Sequence, residues 1–166
     1  MSNKHTTALK GFIGLDWAIN AEWLENAKNT LFGERAEFAS REEKTGETFE
    51  SLMARVGGQE VENSKNMFLS ADGRTAIIDI YGAITPRANF MSDYSGGASC
   101  NLLARDVQAA LNNPMVEGIL FSIDSPGGEV TGVSELSALI KSAKDKKRTC
   151  AYVSGMGCSA AYWLAS

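Results

Sequence analysis

Histidine is nearly absent from this chain: its 166 residues include one, His5, in a polar N-terminal tail. A Ser-His-Asp triad would have to recruit that tail, which excludes the usual imidazole base as a starting point. Cysteine is sparse as well. Cys100, Cys150 and Cys158 are odd in number and lack metal-ligand spacing, so they read as reduced thiols of a cytosolic compartment. Neither a disulfide framework nor a metal is expected from them. No apolar stretch approaches the roughly 20 residues of a membrane span. Behind Met1–Lys10 there is no apolar core of the kind that marks a secretory signal. The chain is therefore expected to be cytoplasmic, with no membrane partner. Positive charge is short too, with 16 Lys and Arg against 20 Asp and Glu and a net charge of -4. The densest basic cluster, Lys144, Lys146, Lys147 and Arg148, falls between a predicted helix and a predicted strand and reads as a solvated turn. No nucleic-acid partner is expected.

What is present is a globular balance, 44% hydrophobic and 22% charged, enough for a real core. The texture changes along the chain. Residues 1–66 read as a polar, mainly helical region. From Asp16 onward, Trp17, Ala21, Leu24, Ala27 and Leu31 fall on one helical stripe that Gly33 ends. Phe49, Leu52, Met53 and Val56 suggest a second short helix closed by Gly57 and Gly58. This half contains no catalytic constellation.

Residues 67–166 read as a separate α/β region. Met67–Leu69 and Thr75–Ile80 flank Asp72-Gly73, a turn signal, and predict a hairpin. Tyr81 to Ala98 carries glycine, proline and serine without periodicity and reads as a surface loop. Leu103, Val107, Ala110 and Leu111 mark a helix stopped by Asn113-Pro114, and Gly118–Ile123 is an apolar run of the kind buried in a parallel sheet. Val133, Leu136, Ile140 and Ala143 give another helix, Thr149–Val153 another strand, and a last helix starts near Ser159. Strands alternating with helices in this way imply right-handed crossovers and a layered sheet.

Two segments could carry chemistry, and both follow predicted strands, where open parallel sheets build their sites. In Asp124-Ser125-Pro126-Gly127-Gly128 the glycines leave backbone N–H groups unshielded, as an oxyanion hole requires. Taken alone, the segment is better read as a plain Pro-Gly turn. In Gly155-Met156-Gly157-Cys158-Ser159-Ala160-Ala161-Tyr162-Trp163, small residues flank a serine at a strand-to-helix junction, as in a nucleophile elbow. Taken alone, the segment is better read as a helix-capping serine.

Taken together and in this order, the two segments resemble the signal peptide peptidase A family of serine peptidases, especially its phage head-maturation branch of the minor capsid protein C type. The resemblance runs from Ile77-Ile78-Asp79-Ile80-Tyr81-Gly82 to the last residue. It implies an incomplete Clp protease/crotonase-like fold, a homo-oligomer, no cofactor, and a protein substrate such as a capsid or scaffold component. By the same resemblance Ser159 is the nucleophile, Gly127, Gly128 and the Ala160 amide form the oxyanion hole, and Glu129 and Val130 line the substrate strand. The family often has Gly-Gly after the nucleophile; here Ala160 and Ala161 follow it. Its Ser-Lys dyad takes the lysine from well downstream, and none of the lysines of this chain occupies that position. The chain is accordingly read as stopping before its general base and as inactive by itself. An inactive assembly fragment and a crotonase-like acyl-CoA enzyme are the competing readings.

Overall fold

A computed structural model describes residues 58–62, 64, 66–88 and 97–166, together with the backbone of 17–19. In chain order the elements are β1 (Trp17–Ile19), β2 (Gln59–Glu60), β3 (Met67–Leu69), β4 (Thr75–Tyr81), β5 (Ile84–Thr85), β6 (Ala98–Ser99) and α1 (Cys100–Asn112). They continue with β7 (Gly118–Ser125), β8 (Gly127–Glu129), α2 (Val133–Ala143), β9 (Arg148–Gly157) and α3 (Ala160–Ala165). The strands form two sheets, one in the order β2-β3-β4-β7-β9 and a smaller one in the order β1-β8-β5-β6.

The larger sheet is built around a parallel trio. β4 pairs with β7 from Thr75↔Gly118 to Tyr81↔Asp124, and β7 pairs with β9 from Gly118↔Arg148 onward. The β3–β4 hairpin turns at Gly73, with φ 70°, as its Asp-Gly signal requires. Ile77, Ile78 and Ile80 on β4, and Ile119, Phe121 and Ile123 on β7, are buried, as the strands of a parallel sheet usually are. Leu103 and Val107 of α1 and Val133, Leu136 and Ile140 of α2 complete the same core at the predicted helical spacing. Each such aliphatic side chain contributes about 2 kcal/mol on leaving water.

A strand–bend–strand–helix unit recurs along the chain. β4 bends at Gly82 into β5, and β7 bends at Pro126-Gly127 into β8; each pair leads on to a helix. β9 starts a third unit, but after its bend the chain enters α3 directly. All three bends contain a residue of positive φ: Gly82 at 66°, Gly127 at 99° and Ser159 at 54°.

Three sequence expectations need correction. Trp17–Ile19, placed on a helical stripe, is an extended strand, and Gln59–Glu60 is another. Trp and Ile suit a strand as readily as a helix face, and pairing with β8 outweighs the local periodicity. The remaining residues of the two N-terminal helices lie outside the described residues. Second, the segment read as a loop contains β5 and β6, whose residues are all buried; two-residue strands are too short to show a period. Third, Lys147 is no solvated turn residue. Its Nζ donates to the carbonyls of Ala110, Asn113 and Val116 at 2.8, 2.6 and 2.7 Å, so all three ammonium protons close the C-terminal end of α1. Burial pulls its pKa below the ordinary lysine value. Replacing Lys147 with Met keeps the stem and removes the donors. The variant should lose about 2 kcal/mol in a urea titration, where a solvated lysine would lose nothing measurable. In the last helix Leu164 is buried, while Tyr162 and Trp163 are exposed.

Candidate active site

β9 lies at the sheet edge beside β7 and ends at Gly157, opposite Ser125, the last residue of β7. Between Ile123 and Ser125 the pairing shifts register, so residues 154–156 bulge out of the ladder. Asp124 holds that bulge. Its Oδ1 accepts the Met156 N–H at 3.0 Å, and its carboxyl carbon lies 2.7 Å from where a Cβ on Gly155 would stand. Glycine at 155 is therefore what lets the carboxylate reach the strand end. Next, the Cys158 N–H donates to the Ser125 carbonyl at 3.1 Å. Asp124 and Ser125 thus fix the approach to Ser159, a role the sequence motif alone did not reveal for either.

Ser159 itself has φ 54° and ψ -116°, and among the described residues it is the one non-glycine with positive φ. Such a backbone costs on the order of 1–3 kcal/mol and persists only where surrounding contacts impose it. Here they do: besides the Cys158 contact, Ala161 donates to the Cys158 carbonyl at 3.0 Å and Trp163 to the Ser159 carbonyl at 3.0 Å. A helix-capping serine has extended backbone and bonds the N–H groups of the first turn. Ser159 has neither property: it makes no side-chain capping hydrogen bond, and it is exposed. The capping reading is therefore overturned. Ala160, buried, opens α3, so its N–H has no acceptor within the helix.

The Pro-Gly-Gly segment departs from expectation. Gly127 and Gly128 do not sit in an open turn but belong to β8, paired with β5 on one edge and β1 on the other. The Gly127 N–H donates to Ser125 Oγ at 3.2 Å, and that hydroxyl donates in turn to the Gly82 carbonyl at 2.6 Å. Ser125 is thus a buried bracket between two bends, and the Gly127 amide is already engaged. Gly128 is required by close approach, since a Cβ there would stand 2.5 Å from the Ile84 nitrogen. Of the two residues expected to line a substrate strand, Glu129 is 8% exposed and Val130 is 39% exposed. Glu129 lies near Cys100, whose thiol is pushed up to about 11 by burial first and then by Glu129 and Glu135. That cysteine is chemically inert at neutral pH. α3 packs against both β7 and β8, which brings the serine-bearing and glycine-bearing segments to one corner.

Two lysines are engaged with backbone carbonyls. Lys147 closes α1, and Lys144 donates to the Ser166 carbonyl at 3.4 Å. A cleft lined by Asp72, Arg74, Glu117, Gly118 and Arg148 opens at the opposite end of the parallel strands, where the exposed Arg74–Glu117 pair spans it.

Known proteins provide an independent comparison. No family model matches the chain. Capsid assembly protease C of Escherichia phage lambda is 35% identical to it over 91 residues, which is 55% of this chain and 21% of that protein. The chain is similar to a phage capsid protease. Head-tail preconnector protein GP5 of Enterobacteria phage P21 is 31% identical over 91 residues, 55% of this chain and 18% of that protein. The chain thus matches only about a fifth of the length of either relative.

Proposed function

We propose that this chain carries the nucleophile of a serine endopeptidase that processes capsid or scaffold proteins during phage head assembly. The observation that carries the reading is Ser159: a strained, exposed, uncapped serine between a strand and a helix N-terminus. In this reading Ser159 Oγ attacks the scissile carbonyl. The amides of Ala160 and Gly128 stabilise the oxyanion, while Gly127 holds the bend that aims Gly128. The dipole of α3 favours the same negative charge. A general base must take the Ser159 proton; by the family resemblance it is a lysine well downstream of Ser159 or in a second repeat, as in a Ser-Lys dyad. Similarity to a capsid assembly protease supports the substrate class. So does the apolar surface on the two elements that Ser159 joins: Tyr152, Val153 and Met156 of β9, and Tyr162 and Trp163 of α3. A folded capsid protein or a second copy of the chain would find a docking face there.

The test is cleavage of the co-expressed capsid-assembly proteins by the full-length protein. Ser159→Ala should leave them uncut while keeping the fold, whereas unchanged cleavage by Ser159→Ala would contradict the reading.

A further inference from the structure

β8 is three residues long and has two occupied edges. On the inner edge β5 runs parallel to it with Ile84 opposite Gly128, so close that no side chain fits at 128. On the outer edge β1 runs antiparallel, with Trp17 opposite Glu129, Ala18 opposite Gly128 and Ile19 opposite Gly127. The two neighbours differ in origin. β5 follows β4 by a two-residue bend and belongs to the strand–bend–strand unit. β1 comes from far upstream in sequence and, among the described residues, pairs only with β8.

An extended segment laid antiparallel on a sheet edge through main-chain pairing is how strand-binding sites hold peptides. The edge in question belongs to Gly127–Glu129, at the corner where Ser159 sits. Opposite Ile19 and Ala18 stand glycines, so the cross-strand positions are vacant and admit varied side chains. Three residue pairs make a displaceable contact, whereas the β5 edge is locked by close packing. We propose that Trp17–Ile19 is a resident occupant of the outer edge of β8, the edge beside which the peptidase reading places the substrate strand. The occupant competes from within the chain with any extended substrate strand. This rests on the peptidase reading, and it makes the preferred partner an unfolded segment that runs antiparallel to Gly127–Glu129. Being tethered, the occupant acts at an effective concentration that an outside peptide must exceed.

The test uses the full-length protein with Ala18→Pro and Ile19→Pro combined. Antiparallel pairs alternate between bonded and non-bonded residues, so two consecutive prolines remove a donor whichever register is bonded. Two readouts are taken: hydrogen exchange of the peptide covering Gly127–Glu129, and the rate of fluorophosphonate labelling at Ser159. Both should rise on the order of tenfold, with exchange in β4 and β7 unchanged. A synthetic peptide with the sequence of residues 14–22 should then restore protection and slow labelling. If the double variant fails to fold, the two single proline variants are compared, and the one that removes the bonded N–H should give the same rises. Unchanged exchange at Gly127–Glu129 would overturn the proposal, as would faster exchange with an unchanged rate of labelling. Faster exchange with no labelling in either protein would keep the acceptor edge and overturn the peptidase reading alone.

Discussion

Gly128→Ala should be the most damaging single methyl that can be added near the site. A Cβ at 128 would stand 2.5 Å from the nitrogen and 2.6 Å from the carbonyl carbon of Ile84, and closer still to its oxygen. These are backbone atoms of a buried strand, so no side-chain rotation relieves the clash. β5 and β8 must separate, and with them the seam where Ser125 brackets the bends at Gly82 and Gly127. Overpacking usually costs about 1–3 kcal/mol; a clash with backbone belongs at or above the top of that range. The expected result is a loss of about 3 kcal/mol or more in denaturant, or failure to accumulate as soluble protein. The contrast is Gly73→Ala, where an added Cβ meets nothing and only the positive φ opposes it. A Gly128→Ala protein as stable as Gly73→Ala would mean that β5 and β8 are not packed as described.

The backbone at Ser159 gives the second large effect, and its direction is unusual. At most positions glycine is less stable than alanine by about 0.4–1 kcal/mol, because the unfolded chain gains freedom. With φ 54° and ψ -116°, alanine retains the strain of serine whereas glycine releases it. Ser159→Gly should therefore be more stable than Ser159→Ala by about 1 kcal/mol in urea melts. Both variants should lose peptidase activity by a factor on the order of 1,000 or more. If alanine equals or exceeds glycine in stability, the strain is not real.

The core of this architecture is legible in the sequence because it depends on long periodic segments. The apolar run at 118–123 and the stripes of Leu103 with Val107 and of Leu136 with Ile140 each bury enough surface to leave a clear pattern. What stayed hidden depends on tertiary pairing. β5 and β6 are two residues each, and nothing in Ile84-Thr85 signals that it will pack on Gly128. Trp17–Ile19 obeys a helical stripe and still pairs as a strand, because an open edge is available to it. Lys147 looks like any turn lysine until three carbonyls converge on its ammonium group. At the site, the motifs single out two segments but not how those segments are held. Neither the hold of Asp124 on the β9 bulge nor the capture of the Gly127 amide by Ser125 Oγ has a signature in residue order. The choice between a capping and a strained serine is likewise a matter of φ and ψ, which no composition reveals.

Modification of Ser159 by a fluorophosphonate probe tests the central claim most directly. The probe reacts with serines whose hydroxyl is activated and flanked by oxyanion donors, and ignores ordinary capping or surface serines. Treated full-length protein, digested and sequenced by mass spectrometry, should carry the adduct on the peptide spanning Gly157–Trp163, with the mass shift on Ser159. The adduct should disappear in Ser159→Ala. An adduct on another serine, or none on Ser159 in protein that cleaves its substrate, would contradict the assignment of Ser159 as the nucleophile.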